Sequence, residues 1–171
     1  MKIKIYCIGK LKENYLKIGV QEYIKRLTPY CQIEMVEVTD ESIKENPSNK
    51  DIEIAKNKEC DCVLKLLKNN EYLIALDLVK NQPDSIEFAK VLNDKFIEGG
   101  TNISFVIGGS YGLSDSLKNR ANYSLGLSNM TFLHQMTRLI LLEQIYRAFK
   151  INNNEVYHKW LNMKNLINIR G

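Results

Sequence analysis

The chain has 171 residues, 44% of them hydrophobic and 26% charged, with a formal net charge of +4. That size and balance fit one compact domain whose core needs no covalent staples. No apolar run approaches the roughly 20 residues needed to cross a bilayer, and Met1 to Cys7 alternates as a strand does rather than as a secretory signal, so a cytoplasmic protein with no membrane partner is expected.

In chain order, residues 2–8 and 31–39 read as strands, and between them Leu11, Tyr15 and Ile18 recur at helical spacing until Pro29 breaks the pattern. Residues 41–50 are polar and carry Pro47, which makes them a loop, and Ser48 followed by Asp51 has the form of a capping box opening the next helix. In that helix Ile52, Ala55, Cys62, Val63 and Leu66 form one apolar stripe. Residues 71–77 are a third strand, followed by Pro83-Asp84-Ser85 and a helix with Ile86, Ala89, Leu92 and Phe96 on one face, stopped by Gly99-Gly100. A fourth strand runs from Ile103 to Ile107, Ser114 caps a short helix to Arg120, residues 122–127 are a last strand, and a long helix spans about Leu133 to Phe149. Strands that alternate with helices and are apolar almost throughout predict a parallel sheet covered on both faces. In such sheets ligands bind beyond the carboxyl ends of the strands, where Leu76, Gly108 and Ser128 fall.

Several constellations have more than one reading. Lys10, Lys12, Lys17, Lys25 and Arg26 crowd one segment, as either a solvated helix face or a basic patch, but two of the four net charges come from Lys164 and Arg170, so charge alone does not diagnose nucleic-acid binding. Cys7, Cys31, Cys60 and Cys62 are too scattered for a zinc site, so reduced thiols and no metal are expected. The segment FVIGGSYGL, residues 105–113, matches neither the dinucleotide fingerprint nor a P-loop. Its glycines serve either a tight turn with positive backbone angles or the approach of a ligand to bare backbone. The long helix is apolar over a wide face (Met136, Leu139, Ile140, Leu142, Ile145, Tyr146, Phe149), which calls for cover on two sides and suggests a second copy of the chain. Glu143 and Arg147, four apart, pair with each other. His134 is read as structural, packed against the preceding loop, whereas His158 lies in a polar ending where Tyr157 and Lys159 also have no evident packing duty.

Four of these pieces, IGKLKENY, FVIGGSYGL, LSNMTFLHQMTRLILLEQIYRAFKI and EVYHK, together resemble the RlmH family of SPOUT methyltransferases. The likeness runs over residues 1–159 essentially without gaps, as a single methyltransferase domain, and leaves residues 160–171 as an extension past the usual family end. It implies the SPOUT fold: an α/β trefoil-knot protein, its sheet mostly parallel with helices on both faces and its carboxyl-terminal half knotted. It also implies a homodimer that uses S-adenosyl-L-methionine, without a metal, to methylate N3 of a pseudouridine in large-subunit (23S) ribosomal RNA of assembled ribosomes. Carried over residue by residue, Leu76, Gly108, Leu127, Ser128, Asn129, Met130, Thr131 and Phe132 match the cofactor-binding positions. Tyr157 and His158 match a terminal Tyr-His at the pocket mouth, beside the partner's site, and are the catalytic candidates. Arg138 and Lys159 are the positive groups offered to the RNA. Leu133 stands where the family usually has proline, which loosens the start of the long helix without changing its register.

The implied reaction is a displacement in which a nucleobase nitrogen attacks a methyl carbon, so alignment and loss of the imide proton are the main requirements. Three other readings remain at this level: a SPOUT enzyme with another RNA target, a non-catalytic ribosome-binding factor, and a nucleotide-binding enzyme of ordinary doubly wound topology.

Overall fold

The computed structural model describes residues 1–100 and 102–157. They form a five-stranded parallel sheet in the order β2-β1-β4-β3-β5. The strands are β1 (Lys2–Ile8), β2 (Gln32–Val38), β3 (Tyr72–Asn81), β4 (Asn102–Ile107) and β5 (Tyr123–Leu125). The helices are α1 (Asn14–Leu27), α2 (Asn49–Leu66), α3 (Ser85–Gly99), α4 (Asp115–Arg120) and α5 (His134–Asn152).

Because side chains alternate across a strand, β1 sends Ile3, Ile5 and Cys7 to one face and Tyr6 and Ile8 to the other. The first set joins Phe105 and Ile74 under α1, α3 and α5, and the second joins Leu73, Ala75 and Val106 under α2 and α4. Ile5 faces Met35 on one side and Phe105 on the other, and Ile74 in turn faces Phe105 and Tyr123, so the register carries one apolar layer across the sheet. The α/β sheet covered on both faces is therefore observed as expected.

Helix starts follow local chemistry. The Ser48–Asp51 capping box is present, with the Asp51 amide donating to Ser48 Oγ at 3.2 Å. Asp84 forms a second capping box with Glu87, and Ser114 Oγ accepts from the Leu117 amide.

Two stripes lie differently from their expected placement. In α1 the buried residues are Leu16, Val20 and Leu27, whereas Tyr15 and Ile18 are exposed, at 60% and 69%. In α2, Cys62 is exposed and Leu66 is 52% exposed, and Cys60 and Glu59 take the buried positions beside Ala55 and Val63. Apolar residues occur on both sides of these helices, so spacing alone drew the α1 stripe along an exposed arc and the α2 stripe only partly along the buried one. The third strand also runs past residue 77 to Asn81, because the Asn81 carbonyl accepts from the Gly126 amide at 2.7 Å after a register shift beyond Leu76.

Candidate active site

The carboxyl ends of β3, β4 and β5, closed over by the amino end of α5, enclose a cleft of about 480 Å³. Leu76, Ile107, Leu125, Leu127 and Phe132 make its apolar wall, and Asp77, Ser110, Thr131, His134 and Thr137 add polar groups. A cleft of this size with a few convergent polar groups suits a small organic ligand.

The glycine segment does two jobs at once. Gly112 has φ +78°, and its amide donates to the Gly109 carbonyl at 3.1 Å, closing a four-residue turn. Gly108 and Gly109 do not share that positive angle. A Cβ on Gly108 would stand 2.7 Å from the Gly112 carbonyl carbon, and one on Gly109 would stand 3.0 Å from Ile8 and 3.1 Å from Glu59. Gly108 is thus required by the approach of its own backbone rather than by open space for a ligand, and in meeting that need it leaves bare main chain on the cleft wall.

Asp77 is the one carboxylate among the described lining residues; its side chain is 10% exposed and stands 3.1 Å from Lys118 Nζ. His134 also faces the cleft, although its sequence context suggested only a packing role. Burial, then the Arg138 charge, lowers its pKa below the usual histidine value, with Asp40 opposing, so the ring is neutral at neutral pH.

Of the eight cofactor positions carried over, Leu76, Gly108, Leu127, Thr131 and Phe132 line this cleft. Ser128, Asn129 and Met130 do not: Ser128 Oγ accepts from the Met130 amide, Asn129 Oδ1 accepts from Gln82, and Met130 is 66% exposed. They shape the loop rather than its inner wall. The wall residues that the sequence did not offer as ligand contacts are Asp77, Ile107, Leu125 and Thr137 together with Ser110 and His134, the last read as structural. Their signal was position, since each lies within a few residues of a strand's carboxyl end or of the loop after β5.

The same sequence finds close relatives. Residues 1–158 match the profile of a family described as "Predicted SPOUT methyltransferase". The chain is 52% identical over 159 residues to the ribosomal RNA large subunit methyltransferase H of Clostridium tetani, covering 93% of this chain and 100% of that one. The proteins of the same name from Clostridium novyi and Clostridioides difficile are 53% and 51% identical over the same span and coverage. The chain belongs to the SPOUT methyltransferase family.

Within this SPOUT methyltransferase domain the remaining candidates are distributed unevenly. Arg138 is 1% exposed: Nη1 donates to Glu37 Oε1 at 2.7 Å and Nη2 to the Gly9 carbonyl at 2.7 Å. Its placement on an RNA-facing surface is therefore corrected. A guanidinium sealed between α5 and the β1–α1 loop fixes the helix that walls the cleft, and Lys12, whose amide donates to Gln135 at 2.8 Å, reinforces the same join.

Tyr157 is half-buried beside the middle of α5, edge-on to Tyr146 with centroids 5.1 Å apart, under the Arg147 guanidinium at 4.8 Å and 3.3 Å from Glu143 Oε1. It does not line the cleft of its own chain. Burial above all, then the Tyr23 hydroxyl and Glu143, holds its phenol proton well above the usual range, which makes it a donor and not a base. The expected Glu143–Arg147 pair is present at 2.5 Å. His158, Lys159 and the extension 160–171 lie outside the described residues. Among the described residues, no helix is long and apolar enough to cross a membrane, and no three metal-ligating side chains gather.

Proposed function

We propose that this protein uses S-adenosyl-L-methionine to methylate large-subunit ribosomal RNA, at N3 of a pseudouridine, on assembled ribosomes in the cytoplasm. The observation that carries this reading is the glycine-floored cleft at the carboxyl edge of a SPOUT sheet, in a chain about half identical to proteins named ribosomal RNA large subunit methyltransferase H. When bound, the donor supplies a methyl carbon activated by a sulfonium. Leu76, Gly108, Leu127, Thr131 and Phe132 would hold it, with bare main chain and an apolar wall suiting a flat purine and excluding water.

The chain's part in the reaction is chiefly orientation. The rigid turn at Gly108–Gly112 and the Arg138-anchored start of α5 fix the cleft walls, so binding aligns the reacting atoms before the imide proton departs. Tyr157, which keeps its proton, donates to an oxygen of the base, while His158 accepts or relays the imide proton. Since Tyr157 sits away from its own cleft, we assign this pair to the cleft of a partner protomer. The exposed Tyr15 and Ile18 of α1, Leu133 just before α5 and Met136 within it support a homodimer whose two-helix face is covered by the second copy. The family resemblance supports the knotted threading of the carboxyl-terminal half.

Radiolabelled donor incubated with 70S particles, free 50S subunits and naked ribosomal RNA tests the reading. One methyl per 70S particle, mapped to a pseudouridine, is expected; equal rates on naked RNA would reject ribosome dependence, and no incorporation into any of the three would reject the activity.

A further inference from the structure

The turn that floors the cleft also displays an aromatic ring. Tyr111 occupies a corner of the Gly109–Gly112 turn and is 42% exposed, while its neighbours Ser110 and Gly112 line the cleft. Its backbone is held from both sides. Gly108 presses against Gly112, where even a methyl group would meet the carbonyl carbon at 2.7 Å. On the exit side Leu113 and Ser114 are buried, and the Ser114 amide donates to Cys60 Sγ at 3.2 Å. Among the described residues Tyr111 has no ring, cation or hydrogen-bond partner, unlike the tyrosines packed on α5. A ring left 42% exposed on a closely packed turn beside the cleft is placed to receive a flat partner, and every nucleobase offers such a face. The loop after β1 sets exposed Lys10 and Lys12 at the same edge of the sheet, where they suit the phosphates of the same strand.

We propose that Tyr111 is the platform on which a base of the substrate RNA stacks at the mouth of the cleft. This rests on the methyl-transfer reading above and adds the residue that seats the RNA. A tyrosine has only two side-chain torsions to order, so stacking on it costs little at binding and tolerates any base, and Tyr111 serves affinity and placement and takes no part in proton transfer.

The test compares Tyr111→Ala, Tyr111→Phe and Tyr111→Leu with the parent for methyl incorporation into unmodified ribosomes, donor affinity by calorimetry and dimerisation by sedimentation. Tyr111→Ala is expected to raise KM for ribosomes about tenfold, the scale of a lost base–aromatic stack, with kcat, donor affinity and sedimentation as in the parent. Tyr111→Phe is expected to restore KM, and Tyr111→Leu to leave it raised. A Tyr111→Ala protein within twofold of the parent would overturn the proposal, as would leucine serving as well as phenylalanine. Weakened dimerisation in Tyr111→Ala would also overturn it, by assigning the ring to the partner subunit. A parent protein that leaves ribosomes unmethylated would overturn the functional reading, and this proposal with it.

Discussion

The two ends of the sheet hold recesses of nearly equal volume, about 480 Å³ at the carboxyl edge and about 470 Å³ at the amino edge. Their chemistry is opposite. At the amino edge Glu71, 6% exposed, accepts from Lys4 at 2.6 Å, Tyr6 at 3.1 Å and Ser104 at 2.8 Å, and Arg120 clamps the loop before it by donating to the carbonyls of Lys68, Asn69 and Glu71. Each buried polar group there is already answered from within the chain. At the carboxyl edge the wall is apolar, the floor is bare glycine backbone, and the rim shows Tyr111 and Met130 to solvent. Size does not tell a binding site from a structural recess; here the apolar wall over bare glycine backbone at one edge, against a buried and internally paired carboxylate at the other, does.

Mutations at the two edges should therefore separate function from stability. The largest effect is expected from Gly108→Ala, because the added carbon collides with backbone that cannot step aside. Methyl transfer should fall by about a hundredfold or more, the cost of displacing a site wall by about an ångström, with donor binding by calorimetry lost alongside it. A Gly108→Ala protein with parental affinity would show that the turn is not part of the donor site.

Next comes Glu71→Ala at the opposite edge, which strands Lys4, leaves Ser104 without its acceptor and leaves Tyr6 only the Leu66 carbonyl at 3.4 Å. A loss of about 3 kcal/mol in denaturant unfolding is expected, with activity per folded molecule unchanged. An activity loss exceeding the loss of folded protein would break the division between the edges.

The acid limb of stability sharpens the same contrast. Burial pushes the Glu71 carboxyl up, but Lys4, Ser104 and Tyr6 together outweigh it and hold its pKa below the usual carboxylate value. A lowered folded-state pKa means that the stabilisation is complete above the unfolded value and is lost as pH falls through the folded one. Melting curves of Glu71→Gln should accordingly converge toward those of the parent below about pH 4 and diverge above it.

The smallest effect is expected at Glu59, buried behind Gly109 with its Oε1 accepting from the Glu41 amide at 2.9 Å. Burial raises its pKa, the Glu41 amide bond opposes it and the charges of Asp40 and Glu41 add to it, so its contribution is favourable below the unfolded value and erodes as pH rises through the folded one. Glu59→Gln keeps the acceptor and removes the charge, and a gain of about 0.5 kcal/mol at neutral pH is expected, vanishing in acid. Destabilisation instead would assign the ionised carboxylate a partner in supporting the turn.

These contrasts also mark how much could be read from the residues alone. The alternation of strands with helices, the polar loop over residues 41–50 and the Ser48 cap were legible because apolar runs, turn residues and capping chemistry are local. The buried arcs of α1 and α2 were not, since Tyr15, Ile18, Cys62 and Leu66 obey helical spacing on a face that the sheet does not cover. The family resemblance singled out Gly108, Leu127, Thr131 and Phe132, which the fold brings to the cleft wall, and also offered Arg138 to the RNA, whereas the fold closes the Gly9 carbonyl and Glu37 around it. His134, read as structural, and Asp77, not singled out, both face the cleft, because a cleft wall is a meeting of strand ends that lie far apart in the chain.

The account depends most on where the methyl donor sits. A crystal structure grown with S-adenosyl-L-methionine tests this directly: the donor is expected in the carboxyl-edge cleft, against Leu76, Gly108 and Leu127. Density for it in the amino-edge recess by Glu71, or away from both, would contradict the account.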